Sequence, residues 1–478
     1  MIGDEDHSHC VDRMALDVIH ERASPDPNVL EPPRRVQAGL PFDVLSQIFL
    51  SCLPDEGFPT LSAEEAPMVL GRVCSHWRDV ALATHVLWAA LNATSSFHFS
   101  AIWNPFDRRL ALGIQEWIRR AGECALSYCL SFYSTTGQVI GVVDTILPHR
   151  RRWKHIEGHL PSDQWQDILS AIAEGTPLLE HLDISTDKGG TIAIQLSSTP
   201  LLQTLIVDPK NKVLGLDTCG KSLRSLTIRV ADWNVCWVYL VHCPTLELLA
   251  VRSDIDDSTN DSLSTVVSDV GVLETRNLVD LSICLPSVGS LLDRLRSPAL
   301  KTIKFESDDT DSKLLSFLER SRPPLEEFYV TARFSSNILL DCLRYTPALR
   351  SLGVHHRPKL TDADIKLLQL GPDSEKNICP GLQNIEFETC VEDAHMKPME
   401  DMVLSRWKNR DVSHSMNSES ASVQNCQWPR SLRSLQLGDC EFEEYSSFDS
   451  TYFESLPEIA RCIEEGLEVL EVPPSDSD

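Results

Sequence analysis

PLLEHLDI (Pro177–Ile184), PLLQTLIV (Pro200–Val207) and PALRSLGV (Pro347–Val354) are three copies of one phrase, x-x-L-x-x-L-x-Φ, where Φ is apolar. It recurs at Lys221 (KSLRSLTI), Pro244 (PTLELLAV), Arg276 (RNLVDLSI), Pro298 (PALKTIKF), Pro323 (PPLEEFYV), Pro380 (PGLQNIEF) and Arg430 (RSLRSLQL), with a looser EGLEVLEV at Glu465. The second and third apolar positions are two residues apart, so they share one face of a short strand, and the first turns the chain into it. One such strand buries little. Stacking many pairs strand with strand and closes a continuous core.

Successive phrases start 21 to 25 residues apart, except where insertions widen the interval to between 32 and 50. That period resembles leucine-rich repeats. Between phrases, Ser162–Gly175, Ser312–Ser321, Ser336–Tyr345 and Thr361–Leu370 carry helical spacing, and each opens on Ser or Thr, residues suited to capping a helix. The expectation is an α/β fold: a curved solenoid over 177–472, with strands on the inner face and helices or loops outside. Polar, Ser/Asp-rich stretches at 252–269 and 410–427 read as flexible insertions, and 473–478 as a disordered tail. Cys243 and Cys379, each directly before a phrase proline, read as small buried side chains.

Near the other end, LPFDVLSQIFLSCLP (Leu40–Pro54) concentrates apolar side chains between two prolines. Pro41 suits a first helical turn and Asp43 complements the positive helix end. Val44, Leu45, Ile48, Phe49 and Cys52 then recur as one stripe until Pro54 stops the helix. A second helix is expected over Ala66–Ala83, with Val69, Leu70, Val73, Cys74, Trp77, Val80 and Ala81 on one face. A unit of about fifty residues makes a small core, and a large apolar patch left on it marks a protein interface.

The 478 residues exceed what one core usually fills. Formal charge is 43 minus 70, or −27, which disfavours nucleic acid and anionic membrane as partners. Thirteen Asp or Glu against Arg461 alone lie between Gly438 and Asp478, and HRRRWKH (His149–His155) is the one compact basic run. Fifteen cysteines without a C-x-x-C pair fit reduced thiols of a cytoplasmic or nuclear protein, and no apolar run is long enough for a membrane span.

The N-terminal residues resemble an F-box: Leu40-Pro41-x-Asp43-Val44-Leu45-x-x-Ile48-Phe49, then Val73-Cys74-x-x-Trp77-Arg78-x-x-Ala81 and Trp88. The link Asp55–Pro67 is longer than the turn in many F-boxes. The resemblance implies a flexible segment at 1–37, F-box helices over 38–92, and docking on a Skp-family adaptor, and through it a cullin, by Leu40, Pro41, Val44, Leu45, Ile48, Phe49 and Trp77. Trp77 and Trp88 would support the core and rim. Residues 93–176, with RRAGECALSYCLSFY (Arg119–Tyr133) and HRRRWKHIEGHL (His149–Leu160), resemble the early segments of fungal F-box proteins with irregular leucine-rich repeats and read as divergent first repeats. The implied function is the substrate-recognition subunit of a ubiquitin ligase. An acidic leucine-rich scaffold or chaperone for basic proteins remains the alternative.

Strand residues flanking the buried Leu and Φ point to the inner face. They include His181, Asp183, Thr227, Arg229, Arg252, Thr302, Lys304, Glu327, Tyr329, Ser351, His355, Asn384, Glu386, Glu388 and Gln436. Arg229, Arg252, Lys304, Glu327, Tyr329, His355 and Glu386 are the expected contacts to a target protein, with Tyr329 and His355 the expected hot spot. No G-x-G-x-x-G, H-E-x-x-H or G-x-S-x-G is present, and neither His7/His9 nor His355/His356 has metal-ligand spacing. The expectation is a non-catalytic chain without cofactor or metal.

Overall fold

The computed structural model describes residues 40–94, 106–132, 137–186, 192–208, 211–214, 216–229, 233–253, 271–286, 288, 291–308, 313–372, 376–391, 396–407, 432–438 and 450–471. The segments expected to be flexible at 1–37, 410–427 and 473–478 lie outside these residues, as does 252–269 apart from Arg252 and Ser253.

Among the described residues the phrases build one fourteen-stranded sheet, its strands following one another in chain order. Every pairing in it is parallel. Leu182, Leu205, Leu226, Leu249, Leu281, Ile303, Phe328, Leu352, Ile385 and Leu435 stand in register from strand to strand. None is more than 1% exposed. The Φ positions form a second buried row beside them, and the turn leucines Leu179 to Leu467 a third. At ~2 kcal/mol for each buried side chain, a phrase contributes ~6 kcal/mol, and only when both neighbours are in place.

The prolines have a local reason. In Thr176-Pro177, Thr199-Pro200, Cys243-Pro244, Thr346-Pro347 and Cys379-Pro380, the residue before proline accepts a hydrogen bond at 3.1–3.3 Å from the amide of the turn leucine three positions on. Proline then occupies the position where its fixed φ fits a tight turn. The preceding Thr or Cys is at most 2% exposed. Burial pushes the thiol of Cys243 up to about 12 and that of Cys379 to about 11, as befits inert core cysteines.

The four expected helical stretches form, at Ser162–Glu174, Lys313–Ser321, Ser336–Arg344 and Asp362–Leu367. Two caps differ from expectation: Pro161 and Ser335 occupy the first and third without a side-chain bond. At the fourth, Asp364 Oδ2 accepts from the amide and hydroxyl of Thr361, at 2.8 and 2.7 Å. Successive helices touch one another, so one sheet face is covered while the other stays half-exposed.

Three strands precede Pro177: Ala90–Thr94, Leu126–Ser131 and Trp153–His159. The sheet therefore begins inside the 38–92 segment expected to be helical. The phrase is already there with tryptophan in the turn position, as Trp88-x-x-Leu91-x-Ala93 and Trp153-x-x-Ile156-x-Gly158, in register through Tyr128 and Leu130. Gly158 has φ +152°, and a Cβ there would collide with the backbone carbonyl of Leu130. At the far end, Leu435 pairs with Val469 rather than Leu470. One residue fewer separates turn leucine Leu467 from its strand, and that slip exchanges the faces. Leu470, expected inside, is 48% exposed.

Arg406, on the helix Met396–Trp407, is 2% exposed. Its guanidinium donates to the carbonyls of Leu368 (2.6 and 3.0 Å), Ile378 (2.9 Å) and Cys379 (2.9 Å). It joins one helix end to the start of the next phrase. Arg406→Met, which leaves those carbonyls unpaired, is expected to lower unfolding free energy in urea by ~3 kcal/mol. Gly158→Ala is expected to cost ~2 kcal/mol or more in the same measurement, because neither the backbone angle nor the neighbouring strand accepts a side chain.

Candidate functional site

Two surfaces stand out, one on the N-terminal helices and one on the open face of the sheet. Helix α1 (Phe42–Leu50) packs on α3 (Ser75–Ala83) and on the short 3₁₀ turn His85–Trp88. Its apolar residues do not form a single ridge. Leu45 and Phe49, four apart, face inward at 2% and 0% exposure. The Phe49 ring lies 5.0 Å from that of Trp77, which is half-buried. Val44 and Ile48, rotated about 100° around the helix, stay 43% and 40% exposed, beside Leu40 at 51% and Phe42 at 46%. Pro41 is exposed as well. Of the seven residues expected to touch a partner, Leu45 and Phe49 are thus core and Trp77 is half-buried against Phe49, and Phe42 joins the exposed set.

The second helix differs too. It splits into α2 (Leu70–Val73) and α3, because Cys74 is fully extended at φ −159°, ψ 172°; its sulfur accepts from the Trp77 amide at 3.4 Å. Val73 and Cys74, expected on one face with Leu70, Val80 and Ala81, are exposed whereas those three are buried. Trp88 is buried, its Nε1 donating to the Ala81 carbonyl at 2.9 Å and its ring edge-on to Trp117 at 4.9 Å. It ties the helices to the sheet.

On the open face, Lys304, Tyr329, Gly353 and Glu386 occupy one register row. Gly353 offers no side chain, and a Cβ there would collide with the Tyr329 ring. Tyr329 leans into that gap. The Lys304 ammonium lies 5.6 Å from its centroid, and His355 meets it edge-on at 6.4 Å. His355 Nε2 sits 3.2 Å from Glu386 Oε1, and Nδ1 3.7 Å from Glu388 Oε2. The first contact is electrostatic, since Nε2 makes no aligned hydrogen bond. The Glu386 carboxylate, then Glu388 and Glu306, holds His355 above the usual imidazole range against the opposing effect of burial. Lys304, Tyr329, His355 and Glu386 thus converge, with exposed Glu327 alongside.

Arg229 and Arg252 stand apart from that group, paired with each other in register on strands nearer the middle of the sheet. Arg229 bonds to Asp208 at 2.7 Å and Arg252 is exposed. Ser351, expected on the surface, is 8% exposed, because the Asn384 amide donates to its hydroxyl at 2.9 Å. The basic run at His149–His155 is largely absorbed locally: Arg150 pairs with Glu174 at 2.8 Å, Lys154 with Glu180 at 3.5 Å, and Arg152 donates to the Cys124 carbonyl at 3.0 Å.

Missed from sequence was a second cluster, His155 and Glu157 beside His181 and Asp183 on the next strand. Aligning RRWKHIEG (Arg151–Gly158) under PLLEHLDI (Pro177–Ile184) would have placed each pair together. One phosphate-loop spelling also occurs in the chain, GLDTCGKS at Gly215–Ser222, and only its setting in the fold discounts it. Gly215 lies outside the described residues. The functional motif needs its Lys-Ser at the start of a helix, whereas here they follow the turn Leu216–Cys219 and lead into the strand Ser225–Arg229. Gly220 is glycine because a Cβ would strike the His242 carbonyl.

No helix among the described residues is long and apolar enough to cross a membrane. No protein-family model matches the chain, and comparison with curated proteins finds no match.

His355 yields a pH prediction. Its folded pKa exceeds the unfolded ~6.5, so its stabilisation is complete below ~6.5 and is lost as pH rises through the folded value. The His355 ring resonance in an NMR titration is expected to titrate above the ordinary imidazole range, and to move down in Glu386→Gln.

Proposed function

We propose that the chain is the substrate-recognition subunit of a Skp, cullin and F-box ubiquitin ligase, with the N-terminal helices as the F-box and the phrases as leucine-rich repeats. The observation that carries this reading is the division of labour on α1. Leu45 and Phe49 hold the helix to its own chain, while Leu40, Phe42, Val44 and Ile48 remain 40–51% exposed. Apolar exposure of that kind on so small a helical unit is what a docking partner would cover.

The open sheet face supplies the other half. It presents an aromatic side chain, a cation and paired carboxylates on a rigid backbone, the residue types that anchor protein interfaces. In this reading the chain performs no chemistry. It holds a target protein while ubiquitin is transferred on other subunits at raised effective concentration.

The test is co-expression with a Skp-family adaptor, comparing wild type with Val44→Asp/Ile48→Asp. Both positions are exposed, so the fold should be kept; Leu45 is left untouched because it is core. Placing two charges where apolar contact is required is expected to cost ~3 kcal/mol or more, about a hundredfold in affinity, with an unchanged melting curve. A wild type that fails to co-purify, or a double variant that binds equally well, overturns the proposal.

A further inference from the structure

His155 and Glu157 lie two residues apart on the strand Trp153–His159, and His181 opposes His155 in register on His181–Ser185. All three project from the open face and are half-buried. One ligand atom from each lies within 4.8 Å of the others. The imidazoles of His155 and His181 stack with centroids 3.8 Å apart and planes 17° apart, and His155 Nε2 is 2.6 Å from Glu157 Oε2. Asp183, in register with Glu157, stands beside them.

The chemistry of the cluster is uneven. Stacked imidazoles cannot both carry charge comfortably. A neutral imidazole keeps one ring nitrogen with a lone pair able to take a metal. The Phe58 ring, from the long Asp55–Pro67 link, lies edge-on to His155 at 5.0 Å and limits how that ring turns.

The triad of His355, Glu386 and Glu388 also brings three donor groups together. There a single imidazole has each nitrogen facing a carboxylate, an arrangement already neutralised as an ion pair.

We propose that His155, His181 and Glu157 form a binding site for a divalent transition metal of the Zn²⁺ class. Two imidazoles and one carboxylate are a donor set such ions prefer, and three protein ligands leave a fourth position open toward the half-exposed face. The metal would join two early strands beneath Phe58, where the N-terminal link meets the sheet. This site is independent of the adaptor-docking reading.

The test is titration of the full chain with Zn²⁺ by calorimetry and with Co²⁺ by absorption. Wild type is expected to bind one equivalent with a Co²⁺ spectrum free of a sulfur charge-transfer band, which separates this site from the cysteines. His181→Gln and His155→Gln are expected to weaken that event at least about tenfold while melting as wild type does without metal. His355→Gln should leave it unchanged. The proposal is overturned if wild type shows no nitrogen/oxygen-ligated equivalent, or if His181→Gln and His155→Gln, folded, bind as wild type does.

Discussion

Register between adjacent phrases is the constraint on which the rest of this molecule depends. The backbone amide after each turn leucine donates to the equivalent carbonyl of the preceding phrase: Glu180 to Lys154, Gln203 to Glu180, Arg224 to Gln203, and onward to Glu468 on Arg433. That contact sets leucine over leucine, and one residue of slip moves a side chain from core to surface. The same residues carry opposite charges in several places, as in Lys154 with Glu180 and Lys301 with Glu326 at 3.1 Å, so pairs of surface charges reinforce the register without supplying much of its energy.

Parallel sheets are usually covered on both faces, and among the described residues this one is covered by helices on one. The open face tolerates water because its residues are polar and partly satisfied by one another, as in the Ser351, Asn384 and Ser434 hydrogen bonds at 2.9 Å. Where a side chain is missing, at Gly353, the neighbouring ring of Tyr329 fills the space and meets His355 edge-on. A rigid backbone that fixes the spacing of side chains is well suited to recognition, since little ordering remains to be done on contact.

The N-terminal helices follow a different rule. Their core is too small to hide every apolar side chain, so helix α1 divides its residues by angle, Leu45 and Phe49 inward and Val44 and Ile48 outward. Trp88 then links this unit to the sheet by opening the first phrase, with the Arg120 guanidinium 4.5 Å over its ring. The proposed docking role uses the outward set, while the fold uses the inward one.

The amino-acid sequence determined the strands, because period-two spacing repeated eleven times leaves few alternatives, and it marked four of the helices and the inner-face positions. It also put Tyr329, His355 and Glu386 on one face, which the register bears out. Tertiary structure alone decided the start of the sheet at Ala90, where tryptophan and glycine replace the usual leucine and Φ, and the slip at Leu467. It alone separated Leu45 and Phe49 from Val44 and Ile48, since a stripe one residue too wide looks continuous until its partner helices choose a side. It alone brought His155 to His181, for ligands 26 residues apart in the chain become neighbours only through the hydrogen bonds of two parallel strands.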